Sequence, residues 1–302
     1  MSVLLSIIIP AYNAQDYLSN ALSSIDSIDD SVEIVIINDG STDNTLKIAL
    51  EWKIKYPQIT IVNQLNVGLA QTRNTAIRIA KGAYLMFLDP DDKYENKAIS
   101  SVITCIEKEK PDLIIYDVQD YDVAKKKVVK ITHHGKLPKN AGAVYWNKVY
   151  KKELFDGLEA PKGHLFEDTA IIPAVVAQAR KVILVNEVHY TYNVGRNDSI
   201  MSKNWGKNFE DKIFALEYLN KLSNKLKYSE QIKVQDYLIA NVVFTLRFQK
   251  NLNLMTFSQI MALCDLGKTS IELLKIKNVG LVKYMIYWSI ITSGRYYAKF
   301  IK

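Results

Sequence analysis

An apolar run that ends in three carboxylates constrains the fold more than any other feature of this sequence. Tyr84 to Leu88 are all apolar or aromatic, and Asp89, Asp91 and Asp92 follow at once. Such a run is typical of a strand buried on both faces of a sheet, whose carboxyl end faces a ligand crevice. Clustered carboxylates repel one another unless a cation compensates them, and oxygen ligands suit Mg²⁺ or Mn²⁺. The sequence therefore predicts a metal-bound polyphosphate at this strand end.

Strand and helix patterns alternate through the first part of the chain. Apolar runs at 3–9, 32–37, 59–62 and 84–88 predict strands, and apolar residues at helical spacing follow each of the first three. Asn13 is expected to cap the first helix. Strands that alternate with helices at this spacing indicate a doubly wound, mostly parallel sheet of the α/β class.

The rest of the chain is less regular and then becomes helical. Strands are expected at 113–116, 182–185 and 188–192, and a helix is expected to begin at Phe166. From Trp205 onward the apolar spacing is helical. We therefore predict two domains, a ligand-binding catalytic domain over residues 1–202 and a C-terminal helical region over residues 203–302.

The positive charge is concentrated in the C-terminal third. The whole chain carries +7, whereas residues 203–302 contain 16 Lys or Arg against 7 Asp or Glu, a balance of +9, which leaves −2 for the rest. Residues 281–302 combine Trp, Tyr and cations on one helical pattern, and the uncharged run between Lys283 and Arg295 is too short to cross a bilayer. Two interpretations stay open for this helix: an anionic membrane surface, or packing on neighbouring helices or on a second copy in an oligomer.

Several classes of protein are disfavoured. Cys105 and Cys264 are far apart and form no metal or disulfide pattern, which fits a reducing cytoplasm. The first apolar run is short and ends at Pro10, so a strand is expected there and not a signal peptide. No P-loop, no dinucleotide fingerprint and no nucleic-acid-binding module is present. We expect a cytoplasmic protein, peripheral at the inner face of the cell membrane.

Five short motifs occur in one order over residues 1 to about 200. They are Ile9-Pro10-Ala11-Tyr12-Asn13, Asn38-Asp39-Gly40-Ser41-Thr42-Asp43, Asn66-Val67-Gly68-Leu69-Ala70 with Arg73-Asn74, Asp89-Pro90-Asp91-Asp92, and Glu167-Asp168. In this combination the chain resembles the family 2 glycosyltransferases, which have the Rossmann-like glycosyltransferase A fold. The last hundred residues lie outside the resemblance.

The resemblance implies an inverting, metal-dependent reaction. In such a reaction a hexose or N-acetylhexosamine passes from a UDP-sugar to a hydroxyl of a glycan acceptor, often lipid-linked, in the synthesis of bacterial capsule, exopolysaccharide or related surface glycans. The implied cofactor is Mn²⁺ or Mg²⁺.

The resemblance also assigns residues to the nucleotide. Asp39 is expected to accept a hydrogen bond from the uracil N3–H, while Pro10, Ala11 and Tyr12 line the base. The alternative for Asp39 is an acid that only caps the turn at Ser41.

Ribose and phosphates are assigned to a second group of residues. By the resemblance Arg73 lies near the base and the phosphates, Asp89 holds the ribose hydroxyls, and Arg196 pairs with phosphate oxygens. Pro90 departs from the small residue common at its position in the family, and we expect it to stiffen the turn.

Metal binding and proton transfer complete the expected site. Asp91 is assigned to the metal, with His189 as a further ligand, although a histidine in an apolar strand is more often part of the core. Asp92 is expected to be a supporting acid or a helix cap. Asp168 is expected to be the general base, the alternative being an acid that only stabilises a helix N-terminus, and Glu167 supports it or contacts the acceptor.

Two other functions were compared with this one. A nucleotidyltransferase requires a glycine-rich loop with Arg or Lys after the first strand, and Pro10 to Asn13 provide none. A relative without activity, which binds the nucleotide sugar or acts as a membrane scaffold, remains open.

Overall fold

The computed structural model describes residues 2–196, 205–247 and 257–275. The strands are β1 Leu5–Ala11, β2 Val32–Asp39, β3 Ile59–Gln64, β4 Tyr84–Phe87, β5 Lys93–Tyr94, β6 Leu113–Asp122, β7 Lys127–Thr132, β8 Lys148–Lys151 and β9 Val182–Val194. The helices are α1 Leu18–Ser23, α2 Thr45–Lys55, α3 Leu69–Ile79, α4 Ala98–Glu109, α5 Pro138–Ala141, α6 Glu167–Gln178, α7 Trp205–Ser223, α8 Tyr228–Arg247 and α9 Phe257–Lys275, with a 3₁₀ turn at Lys152–Phe155.

The strands of the described residues join one mixed sheet. Its order is β3-β2-β1-β4-β8-β6-β9-β5, and β7 pairs with β6 beside this path. Neighbours within the β3-β2-β1-β4 block are parallel, as are β6 and β9, whereas β8 runs antiparallel to both β4 and β6. The predicted doubly wound, mostly parallel sheet followed by C-terminal helices is therefore confirmed.

The central strands are buried because helices cover both faces of the sheet. Every residue of β1, β2 and β4 is buried. Even Glu33 lies inside, where its carboxylate accepts hydrogen bonds from the Ser6 hydroxyl at 2.6 Å and from the backbone N–H of Lys81. A buried acid is tolerated here because its oxygens have donors.

Two local expectations were wrong. Asn13 does not cap α1, because the residue before that helix is Tyr17 and Asn13 has a φ of 47° in the preceding loop. The strands expected at 182–185 and 188–192 are one strand, β9, with two shifts of register that leave Asn186, Glu187 and His189 unmatched against β6. A bulge interrupts the alternation of side chains, so the sequence pattern looks like two strands.

The chain divides into two compact units. Among the described residues the first comprises 2–136, 140–163 and 179–196, and the second comprises 137–139, 164–178 and α7 to α9. The second unit thus contains α6, which the prediction of a boundary near residue 202 placed with the sheet.

None of the helices that the structure describes is long and apolar enough to cross a membrane. The interfacial helix expected at 281–302 lies outside the described residues.

Candidate active site

The site assembles at the carboxyl ends of three adjacent parallel strands. Since β2, β1 and β4 are neighbours and run in one direction, the residues that follow them meet at one edge of the sheet. These residues are the loops beginning at Tyr12, Gly40 and Leu88. Three of the five sequence motifs are therefore brought together in the first unit.

Hydrogen bonds tie the loops after β1 and β2 to each other. The backbone N–H of Asn13 donates to the Ser41 hydroxyl at 3.0 Å, and the Asn13 side-chain oxygen accepts from the N–H of Thr42 at 2.9 Å. The N–H of Ala14 donates to the Thr45 hydroxyl at 2.7 Å. Asn13 therefore joins two loops, which explains why it adopts a left-handed backbone conformation that asparagine tolerates well.

Asp39 is buried and holds the loop after β3. Its carboxylate accepts hydrogen bonds from the N–H groups of Val67 and Gly68, at 3.0 and 2.9 Å, and from the Gln64 amide at 2.8 Å. Gly40 permits this approach, because a Cβ at that position would lie 2.7 Å from the backbone nitrogen of Asn66. Asp39 does cap a turn, but the turn at Val67 and not the one at Ser41. Its hydrogen bond to uracil stays a prediction.

Of the residues assigned to the nucleobase, Tyr12 alone is exposed. Pro10 and Ala11 are buried at the end of β1, whereas the Tyr12 side chain is 52% exposed. An exposed ring at this edge is suited to stacking on a planar base. The role of Pro10 and Ala11 in lining the base stays a prediction.

Arg73 and Asp89 form an ion pair at the end of β4. An Arg73 terminal nitrogen lies 2.7 Å from a carboxylate oxygen of Asp89, and its guanidinium lies 4.6 Å from the centre of the buried Tyr145 ring. The pair is fixed because Arg73 comes from α3 and is itself buried. Sequence reasoning placed both residues at the nucleotide but not in contact with each other.

Asp91 forms a second ion pair, with Arg196. The guanidinium of Arg196 donates to an Asp91 carboxylate oxygen and lies 5.0 Å from the centre of the Tyr17 ring. Burial and the neighbouring Asp89 raise the pKa of Asp91, while Arg196 acts in the opposite direction. A carboxylate in this setting demands positive charge, and Arg196 supplies it.

Asp92 is a buried support and not a helix cap. One of its oxygens accepts from the Tyr190 hydroxyl at 2.9 Å and the other accepts from the N–H of Asn193 at 2.8 Å. Burial, followed by the charges of Asp91 and Asp89, raises its pKa well above the usual value. Asp92 thus fastens β9 to the acidic loop.

Pro90 suits the turn that it occupies. The N–H of Asp92 bonds to the carbonyl of Asp89 at 3.1 Å, which makes Asp89 to Asp92 a β-turn with proline at its second position. Proline is favoured there because its fixed φ matches the turn. The expectation that Pro90 stiffens the loop agrees with this geometry.

His189 lies in the core. It is 4% exposed, its ring packs against Tyr116 with centroids 5.4 Å apart, and burial lowers its pKa. Among the described residues, no three His, Cys, Asp or Glu side chains are grouped to share a metal ion. The position of His189 agrees with the core alternative, and its role as a metal ligand stays a prediction.

The acids at β4 fit a hard divalent cation in their chemistry. Asp89 and Asp91 offer carboxylate oxygens, the donors that Mg²⁺ and Mn²⁺ prefer. Burial and the charge of Asp89 raise the pKa of Asp91, so a cation beside this carboxylate would be favourable. Asp91 is the residue best suited to hold such an ion.

Asp168 lies in the second unit, at the start of α6. One of its oxygens accepts the N–H of Thr169 at 2.5 Å. Burial lowers the pKa of Lys212, and the charge of Asp168 partly offsets this effect. Phe166, two residues earlier, has a φ of 60°, an uncommon conformation for an aromatic residue and one that requires support. Asp168 therefore does lie at a helix N-terminus, as the alternative interpretation expected, and its catalytic role stays a prediction.

Sequence reasoning missed the supporting aromatics. Tyr17 and Tyr145 contact the two arginines through their rings, and Trp146 stacks on Tyr190 and Tyr192 at centroid distances of 4.8 and 5.3 Å. The one available signal was the alternation of Tyr190 and Tyr192, which places both side chains on one face of β9.

The sheet, with acids and arginines gathered at its strand ends, defines an enzyme of the glycosyltransferase class. The chain belongs to Glycosyl transferase family 2, because the model of that family matches residues 6–178, more than half of its length. The resemblance stated from the motifs is thereby confirmed.

Curated relatives are similar over about two thirds of the chain. Glycosyltransferase GlyG of Streptococcus pneumoniae serotype 4 is 27% identical over 223 residues, which are 67% of this chain and 74% of GlyG. Minor teichoic acid biosynthesis protein GgaB of Bacillus subtilis is 25% identical over 221 residues, 66% of this chain. The chain spans 25% of GgaB, which is much longer.

Solved structures show the same fold. S. aureus TarS 1-349 in complex with UDP has a TM-score of 0.68 at 17% identity, covering 97% of this chain and 89% of that one. The complex of TarS with UDP-GlcNAc has a TM-score of 0.60. Mannosyltransferase PcManGT from Pyrobaculum calidifontis, in complex with GDP-Man and Mn²⁺, has a TM-score of 0.56 at 14% identity, covering 99% and 86% of the two chains.

Proposed function

We propose that this chain transfers a hexose or N-acetylhexosamine from a UDP-sugar to a hydroxyl of a glycan acceptor, with inversion at the anomeric carbon. The observation that carries the proposal is the double ion pair at the end of β4, in which Arg73 meets Asp89 and Arg196 meets Asp91. Two carboxylates and two guanidinium groups at one strand end are the partners that a ribose, a divalent cation and a diphosphate require.

The proposed donor carries uracil. Tyr12 offers an exposed ring for the base, and the carboxylate of Asp39, which already accepts three hydrogen bonds, has acceptor capacity for the uracil N3–H. The TarS complexes with UDP and UDP-GlcNAc support this choice, whereas PcManGT binds GDP-Man on a similar fold. Competition between UDP and GDP distinguishes the two bases.

Arg196 is proposed to change partners when the donor binds. In the structure it neutralises Asp91, and its guanidinium is equally suited to pair with two phosphate oxygens. Asp91 would then hold a Mn²⁺ or Mg²⁺ ion, which supplies Lewis-acid stabilisation of the departing diphosphate. Arg73 would hold the Asp89 carboxylate in place for the ribose hydroxyls.

Asp168 is proposed as the general base. Its carboxylate would take the proton of the acceptor hydroxyl while that oxygen forms a bond to the anomeric carbon and the bond from that carbon to the diphosphate breaks. A single displacement of this kind inverts the anomeric centre. Glu167, which is buried beside it, supports the start of the helix.

The proposed setting is the synthesis of a bacterial surface glycan. GgaB is named for teichoic acid biosynthesis, which supports an acceptor of this class. We propose that the acceptor is lipid-linked and that the enzyme works in the cytoplasm at the inner face of the membrane, with residues 281–302 contacting anionic lipid or another subunit. Nucleic acid is not a proposed partner.

A panel of UDP-sugars, monitored for UDP release with Mn²⁺ and with chelator, tests the function. We expect one or two donors to give metal-dependent release, lost in Asp91→Ala and reduced about 10²- to 10⁴-fold in Asp168→Asn, which should still bind UDP. Asp30→Asn, an exposed acid in another loop, is the matched control and should retain full activity.

Two outcomes contradict the proposal. Full turnover in Asp168→Asn removes that residue from its role. Tight UDP binding without transfer or hydrolysis for any sugar favours the alternative, a relative that binds nucleotide sugars and has lost activity.

A further inference from the structure

The strands β6 and β7 and the turn at 123–126 form a hairpin that neither the proposed chemistry nor the family motifs use. We name residues 118–132 the β6–β7 hairpin. Its base is attached to the sheet by the bond from the N–H of Val123 to the carbonyl of Val194, at 3.1 Å, and by the parallel pairing of β6 with β9. The hairpin is therefore attached to the sheet through its first strand, β6, while its second strand, β7, is at the edge.

The outer strand β7 is exposed along its length. Among the described strands it pairs with β6 alone. All eight residues from Ala124 to Ile131 are exposed, and these include Val128, Val129 and Ile131 at 43, 45 and 50%. Exposed apolar side chains usually occur singly, so three within four positions call for an explanation.

A bulge in β7 places two apolar side chains on one face of the hairpin and two lysines on the other. Val128 pairs with Tyr121 and Ile131 pairs with Gln119, but Lys130 pairs with Asp120, so Val129 has no partner on β6. Without this extra residue, Val128 and Ile131 would point to opposite faces. With it, they share one face with Tyr121, and Lys127 and Lys130 lie on the other.

The hairpin also begins a long stretch of the chain without an acid. Between Asp122 and Glu153 the sequence contains nine lysines and no Asp or Glu. Lys126, at the tip of the turn, and Lys127, at the start of β7, are exposed and make no ion pair among the described side chains. Lysines around an apolar face can bury their aliphatic stems and keep their charges at an anionic surface.

We propose that the β6–β7 hairpin docks on an anionic lipid bilayer, with Val128, Val129 and Ile131 entering the headgroup region and Lys126 and Lys127 contacting acidic headgroups. The mixture of apolar and basic side chains favours a lipid surface, because a polyanion in water would leave the apolar face exposed.

A second copy of the chain fits less well. Antiparallel pairing of two β7 strands would set Lys127 and Lys130 of one copy beside the same lysines of the other, and lysines on an edge strand oppose such pairing. The surface is also distinct from residues 281–302, and its test needs no catalytic activity.

Co-sedimentation of the full-length chain with vesicles tests the proposal. One set of vesicles is neutral phosphatidylcholine, and the other contains about one third phosphatidylglycerol. Each lysine near an anionic surface contributes roughly fivefold to the partition coefficient. We expect wild type to prefer the anionic vesicles, the double variant Lys126→Glu, Lys127→Glu to lose at least about tenfold in partition, and Val128→Trp to gain, because tryptophan favours the interface.

The matched control makes the same charge change on another surface. Lys53→Glu with Lys55→Glu alters two exposed lysines of α2 and should keep partition within about twofold of wild type. Unchanged melting temperatures show that the variants are folded. Val128→Trp is expected to increase partition, a result that misfolding would not produce. Equal partition of the hairpin variant and wild type overturns the proposal. If the wild-type chain is a dimer and Val128→Ser dissociates it, the lipid proposal is overturned in favour of a second copy.

Discussion

Each arginine at the end of β4 is paired with an acid that the sequence assigns to a ligand. Arg73 holds Asp89, and Arg196, which lies 105 positions from Asp91 in the sequence, holds that residue. The two ion pairs give each of these partly buried carboxylates a neighbouring positive charge. The motifs and the family resemblance identify the four residues, but no local pattern indicates that they pair with one another.

The competition between Arg196 and a divalent cation for Asp91 is measurable without turnover. In Arg196→Ala the carboxylate loses its compensating charge, so without metal we expect a loss of about 1–2 kcal/mol in the free energy of unfolding. Mn²⁺ should then raise the melting temperature more in the variant than in wild type, since binding to the folded state stabilises it. Differential scanning fluorimetry with and without Mn²⁺ measures both effects.

Arg78→Ala, an exposed arginine on the same helix as Arg73, is the control and should show the wild-type response to Mn²⁺. If Arg196→Ala and wild type show the same Mn²⁺-induced shift, Arg196 and the ion do not compete for one carboxylate.

At the scale of elements, β8 shows how the sheet tolerates a buried cation. Lys148 is fully buried between β4 and β6, and its amine donates to the carbonyls of Gly142 and Val144, at 2.8 and 2.9 Å, and to the side-chain oxygen of Asn147. The ammonium group replaces backbone donors for the loop that leads into the strand. A lysine in a short strand resembles a surface residue in the sequence, so its burial was not predicted.

Removing that ammonium group should lower the free energy of unfolding. In Lys148→Met the Gly142 carbonyl and the Asn147 side-chain oxygen lose the ammonium donor, and the Val144 carbonyl keeps only the Tyr150 hydroxyl. We expect a loss of about 3 kcal/mol in the free energy of unfolding. Urea denaturation followed by tryptophan fluorescence measures it. Lys151→Met, at the other end of β8, is the control: that lysine pairs with Glu153 near the surface and should change stability by less than about 1 kcal/mol. Equal effects of the two substitutions would contradict this account of Lys148.

The elements themselves were largely predictable where periodicity is strong. The strands at 32–37 and 84–88 and the helix from Phe166 appear close to their expected bounds, because runs of apolar residues of this length are rarely anything else. The pattern failed at β7, whose exposed residues show no burial periodicity, and at β9, where a bulge interrupts the alternation.

At the scale of the whole molecule, the division into units differs from the boundary near residue 202 that the helical pattern from Trp205 onward predicts. Helix α6 is apolar on nearly all sides, and Ile171, Ile172, Val175 and Val176 are buried in it. Within the second unit Lys233 of α8 donates to the carbonyl of Ala177 at 2.8 Å. Since this helix shares a unit with α7 and α8, the sequence boundary near 202 cuts between packed partners.

A fragment of residues 1–202 is therefore expected to be unstable. Loss of α7 and α8 exposes apolar side chains of α6, each worth roughly 1.5–3 kcal/mol when fully buried. We expect aggregation in size-exclusion chromatography and no cooperative unfolding in urea. A fragment of residues 1–275 keeps α7 to α9 and should remain free of aggregation. Cooperative unfolding of the 1–202 fragment would instead support the boundary predicted from sequence.

The sequence by itself determined the class of fold, the family and the identity of the acids and arginines at the strand ends. It did so because hydrophobic periodicity and short motifs are local properties that residues carry wherever the chain goes. The tertiary structure decided the partners of these side chains. Arg196 pairs with Asp91 and Arg73 pairs with Asp89, while Asp39 accepts hydrogen bonds from the N–H groups of Val67 and Gly68. These pairings depend on strand order and on the close approach of loops far apart in the chain, and no local pattern records such distances.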